Sequence, residues 1–173
     1  MNMKTFFAIL CVNTLLVSCT PVVTVAPRED NFSFVYKYIP CGSNPLFVLD
    51  TINSMLIHTP PDATNSLKIS FLLTDDELES IYQKAISIDF FDYPAKFFIP
   101  DDQVMGYKAP AVSYELSMIN GGMKNSVIWI DDTMNKPKYT KAERLRELMN
   151  LIYEIIQAHP KIPRFPEQSL RCA

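Results

Sequence analysis

Two of the chain's four glycines stand side by side at 121 and 122, between two runs in which apolar and polar residues alternate. Val112, Tyr114, Leu116 and Met118 alternate with Ser113, Glu115 and Ser117 before the glycines, and Val127 to Ile130 resume the apolar pattern after them. Asn120-Gly121-Gly122 accepts the positive φ of a tight turn, so the stretch reads as an antiparallel hairpin. A turn centred on Asn120-Gly121 or on Gly121-Gly122 puts Val127 and Trp129 on the face of Tyr114 and Leu116. A slip of one residue brings Lys124 and Ser126 there instead, which a core face disfavours.

Other strands follow from the same period. Phe32, Phe34, Tyr36 and Tyr38 alternate with Ser33, Val35 and Lys37 to give a strand with one aromatic face, closed by 40–45 with its two prolines and a glycine. The short apolar runs 46–49 and 55–57 form a candidate hairpin, and 67–73 a further strand with Lys68 and Ser70 outward. Residues 131–139 are expected to be a loop.

Two helices carry start signals. Thr74-Asp75-Asp76-Glu77 is a capping box whose acids suit the positive helix end, followed by the stripe Leu78, Ile81, Tyr82, Ala85 and Ile86. Thr140-Lys141-Ala142-Glu143 reads as a second box, ahead of Leu145, Leu148, Met149, Ile152, Ile155 and Ile156. Pro160 stops that helix, and the following segment is expected to run extended along the surface. The fold expected is α+β: a mainly antiparallel sheet of five or six strands with two helices packed on one face.

The length of 173 residues suits one domain, with a core large enough to need no metal staple. A net charge of -3 and no Lys/Arg block argue against nucleic acid as a partner.

The N-terminus has its own logic. Lys4 precedes a mostly apolar run over 6–17. Twelve residues of helix rise about 18 Å against a bilayer core of about 30 Å, so the run alone is a signal and not a span. An anchor extended through 21–26 would have to accommodate Asn13, Thr14, Ser18, Thr20 and Pro21, which weigh against it. The organisation expected is a cleaved signal over 1–18, a tether over 19–31 and one domain over 32–173.

Leu16-Val17-Ser18-Cys19 resembles the lipobox of bacterial lipoproteins. The resemblance implies cleavage before Cys19, a thioether to diacylglycerol on its sulfur and an acylated amino group, palmitate being a typical chain. Two chains give stable attachment where one gives only marginal attachment. The implied location is the cell envelope, anchored by lipid; with Thr20 in place of Asp, the outer membrane is favoured in a two-membrane organism. Losing Lys4 makes the mature chain one unit more negative, so attachment depends on the acyl chains.

With Cys11 removed and Cys19 acylated, Cys41 and Cys172 remain, either as a disulfide or as two thiols. Closing so long a loop restricts the unfolded chain by about 5 kcal/mol in the entropic account.

Catalytic signals are sparse. Four glycines write no phosphate-binding loop, and His58 and His159 alone make no multi-His metal site. No cofactor and no metal are expected. Cys41 with His58 or His159 is a nucleophile candidate whose stronger reading is structural. The pairs Asp75-Asp76, Asp101-Asp102 and Asp131-Asp132 invite carboxylate hydrolysis or calcium, but capping and turns account for them. Phe90, Phe91, Tyr93, Phe97, Phe98 and Tyr107 are a core set or a binding platform, with core packing preferred.

Across Cys41-Gly42, Leu49-Asp50-Thr51, Leu73-Thr74 with Glu77-Leu78, Ile81-Tyr82-Gln83-Lys84 and Ile88-Asp89-Phe90-Phe91-Asp92-Tyr93-Pro94, the order resembles small uncharacterised bacterial lipoproteins. That resemblance brings no activity and no catalytic residue. The reading favoured is a non-enzymatic domain that binds an envelope protein or wall component. The alternatives are an envelope hydrolase using loop carboxylates, and an inhibitor or accessory subunit of another envelope protein.

Overall fold

A computed structural model describes residues 27–40, 44–60, 65–160 and 162. Cys19, Cys41 and Cys172 lie outside the described residues, as does the segment after Pro160 apart from Ile162.

The chain is α+β, a seven-stranded mostly antiparallel sheet with two helices packed together. In chain order the elements are β1 (Ser33–Pro40), β2 (Phe47–Asp50), β3 (Met55–His58), β4 (Leu67–Ser70), α1 (Asp75–Ser87), β5 (Lys96–Phe97), β6 (Val104–Asn120), β7 (Met123–Asn135) and α2 (Thr140–Ala158). The sheet order is β4-β3-β2-β1-β6-β7-β5. Only β5 pairs in parallel, with β7.

The aromatic face of β1 is the centre of the core. Phe34 and Tyr36 are fully buried there, beside Phe47 and Leu49 of β2, Leu116 and Met118 of β6 and Trp129 of β7. Each large side chain taken wholly out of water stabilises the fold by about 1.5–3 kcal/mol. From α1, Tyr82 packs edge-on to Phe32 at 5.2 Å between centroids. From α2, Tyr153 packs on Tyr38 at 4.8 Å and on Phe47 at 5.9 Å. Both helices therefore cover one face, and Lys84 of α1 pairs with Glu147 of α2 across their seam.

The hairpin has the register its alternation demands, with Asn120↔Met123 at the turn, Leu116↔Val127 and Tyr114↔Trp129. Gly121 takes φ +57°, which a side chain would strain.

The first capping box is real: Thr74 Oγ1 accepts from the Glu77 backbone at 3.2 Å, and Glu77 Oε2 accepts from the Thr74 backbone at 2.8 Å. The second is not. The N-cap of α2 is Tyr139, no side chain caps it, and Glu143 instead accepts from Asn135 Nδ2 at 3.4 Å. A hydrogen-bonded turn from Lys136 to Tyr139 sets where the helix begins, so Thr140 is already inside it.

The sheet also exceeds expectation. Residues 131–135 are strand, not loop, and β6 starts eight residues earlier than its alternating run, at Val104. Two register shifts, between Val104 and Gly106 and between Tyr107 and Val112, absorb the residues that break the period.

The tether expected over 19–31 is already docked from Pro27 onward. Its carbonyl accepts from Tyr82 Oη at 3.0 Å and Asn120 Nδ2 at 3.3 Å, and Arg28 pairs with Glu79 at 3.0 Å.

Candidate interaction surface

Beyond Val112↔Asp131, β6 and β7 continue as an arm. From the glycine turn to Asn135, β7 takes twelve steps of about 3.3 Å, so roughly 40 Å separates its ends. Gly106 faces Met134, and a Cβ at 106 would stand 2.9 Å from Met134 Cε. The missing side chain lets the methionine lie across the neighbouring strand.

A polar clamp fixes this arm to α2. Asp131, 6% exposed, accepts from Lys108 Nζ at 2.8 Å on both oxygens and from Arg146 Nε and Nη2 at 2.8 Å each. The guanidinium also donates to Asn135 Oδ1 at 2.7 Å and the Thr133 carbonyl at 3.2 Å, and lies 5.1 Å from the Trp129 ring. A planar five-donor fork suits that set of acceptors where a lysine would not. Asn135 completes the clamp by donating to the carbonyls of Lys136 at 3.1 Å and Tyr139 at 2.9 Å.

The clamp holds apolar side chains in water. Tyr107 is 80% exposed, Phe98 74% and Met105 58%, with Ile130, Ile128 and Met134 close to half exposed. Ile128, Ile130 and Met134 share the helix-free face of β7. Phe98 follows Phe97↔Trp129 and so continues the parity of Lys96, the partner of Ile128. Tyr107 stands opposite Thr133 and so lies on the other face, with Asp131 and Asn135. Single exposed apolar residues are ordinary, whereas a row of them along one strand face marks a candidate contact surface. Pro27 sits against Asn120 at the glycine-turn end of the ribbon.

The residues singled out by sequence are not brought together. Asp75 and Asp76 lie in the first turn of α1, and Asp75 pairs with Arg28 at 3.4 Å. Asp101 and Asp102 form a short 3-10 turn. Asp131 is consumed by the clamp. His58 is stacked on Phe47 at 5.0 Å, with burial lowering its pKa, and His159 lies 4.6 Å from Phe71. The aromatic set splits: Phe90, Tyr93 and Phe97 are core, whereas Phe98 and Tyr107 face solvent. Among the described residues no three His, Cys, Asp or Glu side chains converge as a metal site.

A cleft of about 310 Å³ lies between the end of α1 and the start of α2, lined by Asp89, Asp92, Tyr93, Lys141 and Arg144 among others. Two acids and two bases are among its lining residues. Tyr93 donates to the Lys141 carbonyl at 2.8 Å with the Lys141 ammonium 4.6 Å from its ring, and burial pushes its hydroxyl up to about 12.

Lys108, Arg146 and Asn135 escaped sequence reasoning. The one signal was Arg146 lodged between Leu145 and Leu148 in the apolar stripe of α2. Among the described residues, no helix is long and apolar enough to cross a membrane. No family model matches the chain, and comparison with curated proteins finds no match either.

Proposed function

We propose that this chain is an envelope lipoprotein, acylated at Cys19, whose domain is a non-enzymatic binding module that meets a protein partner through the clamped arm. The observation that carries the reading is the row of exposed Ile128, Ile130 and Met134 on the helix-free face of β7, with Phe98 following the β5 pairing beside it and Met105 and Tyr107 exposed on β6. Tyr, Phe and Met are the residues that interface cores favour, and a buried Asp-Arg-Lys clamp spares them the ordering cost of a mobile loop. A domain moored through the segment before Pro27, which sits against Asn120, leaves the Asn135 end of the ribbon away from the anchor.

Two measurements test the halves separately. Metabolic labelling with palmitate should mark the wild type and not Cys19→Ala; equal labelling of both removes the lipoprotein half. A photo-crosslinking residue at 107 in the acylated protein in its own envelope should yield one defined adduct. The same residue at 83, on the exposed side of α1, should not. Tyr107→Ala should lower crosslinking from position 105 at least about tenfold if the tyrosine is an anchor. Identical adducts from 107 and 83 remove the binding half. An adduct with an enzyme whose rate changes on binding would make the domain an inhibitor or accessory subunit.

A further inference from the structure

The helix-free face continues inward from the arm. Phe34, Tyr36 and Tyr38 of β1 are buried on the side of α1 and α2, and the alternate residues Val35, Lys37 and Ile39 turn to the other side, where each stays part-exposed. Val48 of β2 and Ile57 of β3 stand in register with Lys37, as do Glu115 of β6 and Ile128 of β7. One row therefore crosses five strands, apolar on both flanks with a single charged pair in the middle. Lys37 Nζ donates to Glu115 Oε2, yet the two side chains are still 38% and 35% exposed. Each has donors or acceptors left for a second partner.

Such a row complements itself. A two-fold axis parallel to the strands, in the plane of contact and between β1 and β6, carries β1 onto β6 and β2 onto β7 of another copy. Each Lys37 then lies over the partner's Glu115 and each Val48 over the partner's Ile128. The row beside it sets Val35 over the partner's Ser117 and Asp50 over the partner's Ser126, so no like charges meet. Ile57 meets the aliphatic stem of the partner's Lys96, and Lys68 of β4 falls outside the overlap. Aligned sheets pack about 10 Å apart, close enough for such side chains to interdigitate. The same axis leaves both Pro27 residues at one end of the pair, beside the two glycine turns. Two chains moored in one membrane need that arrangement, and an axis across the strands would send the tethers opposite ways.

We propose that the partner of the helix-free face is a second copy of this chain, packed sheet to sheet with Lys37 and Glu115 exchanged across the axis. The proposal rests on the reading above, of an acylated protein with a contact surface on this face, and names the occupant. Tyr107, on the other face, lies outside it. The opposed strands cover roughly 450 Å² on each copy, less than the roughly 800 Å² a side of a stable complex, so a shared membrane supplies the concentration the pair needs.

Two differently tagged copies of the full chain in their own envelope, each with a photo-crosslinking residue at 48, test this. Irradiation should give an adduct of doubled mass that carries both tags and joins position 48 to the peptide around 128. Lys37→Glu in both copies, or Glu115→Lys in both, should lower that adduct about tenfold or more, because like charges then meet across the axis. Lys37→Glu in one copy and Glu115→Lys in the other should restore it, and only between tags: the two reversals complement each other across the axis, although each leaves a like-charged pair within its own chain. Equal palmitate labelling and unchanged helical circular dichroism should accompany every variant. No two-tag adduct in the wild type would overturn the proposal. So would an adduct insensitive to the single reversals, or a mixed pair as low as either reversal alone. An adduct from 48 to a different protein overturns it and leaves the binding-module reading standing, as does a defined adduct to another protein from 107 with none from 48. Silence at both positions removes both.

Discussion

Tyr36 is fully buried and stacked on Tyr114 at 6.4 Å between centroids, and among the described residues no group hydrogen-bonds its hydroxyl. Its pKa lies well above 10, first because of burial and then because the hydroxyls of Tyr114, Tyr38 and Tyr153 crowd it. Deleting an unsatisfied buried hydroxyl removes a cost while leaving the ring, so Tyr36→Phe should stabilise the domain by up to about 1 kcal/mol in urea denaturation. Asp131 is the opposite case. Asp131→Ala leaves Lys108 and Arg146 half-buried without a counter-charge and should cost about 3 kcal/mol. Amide exchange in 131–135 should rise with it, as the arm loses its hold on α2. The alternating pattern predicted which face Tyr36 occupies. It could not predict Asp131's partners, because Lys108 comes from β6 and Arg146 from α2, and they meet it only once the sheet and α2 are in place.

The two helix starts look alike in sequence and behave differently. Thr74→Ala should cost about 1 kcal/mol, because the hydroxyl accepts a helix amide and Glu77 answers it. Thr140→Ala should change stability by less than about 0.5 kcal/mol, since Thr140 caps nothing. A loss at 140 as large as that at 74 in matched urea curves would contradict the assignment. The capping motif is local, so a motif reading treats both sites alike; the turn through Lys136 and Tyr139 is what moves α2 one residue off its box. The same reasoning explains the arm. Gly106 and Pro110 interrupt the period of 104–111, and strand pairing with bulges is invisible to any rule that needs unbroken alternation. Elements with intact alternation, β1 and the inner parts of β6 and β7, were legible to the register.

At the scale of the molecule, the tyrosines under α2 and beside its first turn set an alkaline limit. Burial, with smaller contributions from neighbouring groups, holds Tyr38 and Tyr93 protonated to about 12 against an ordinary value of 10.0, and it raises Tyr114 as well. A group raised in the folded state contributes stability that is whole below its unfolded pKa and is lost as pH climbs toward the folded one. The urea midpoint should therefore hold up to about pH 10 and fall between 10 and 12. A midpoint that stays level from pH 10 to 12 would contradict this. The candidate contact surface was half legible: Phe98 and Tyr107 were singled out by residue type, but only the fold parts them from Phe90, Tyr93 and Phe97.

Pro27 feeds, within a few residues, into β1, and β1 lies in the middle of the sheet between β2 and β6. A pull on the preceding chain is thus delivered along two antiparallel ladders at once, so their hydrogen bonds must shear together instead of unzipping singly from a rim. Any load that reaches the domain through this segment would meet both ladders in shear.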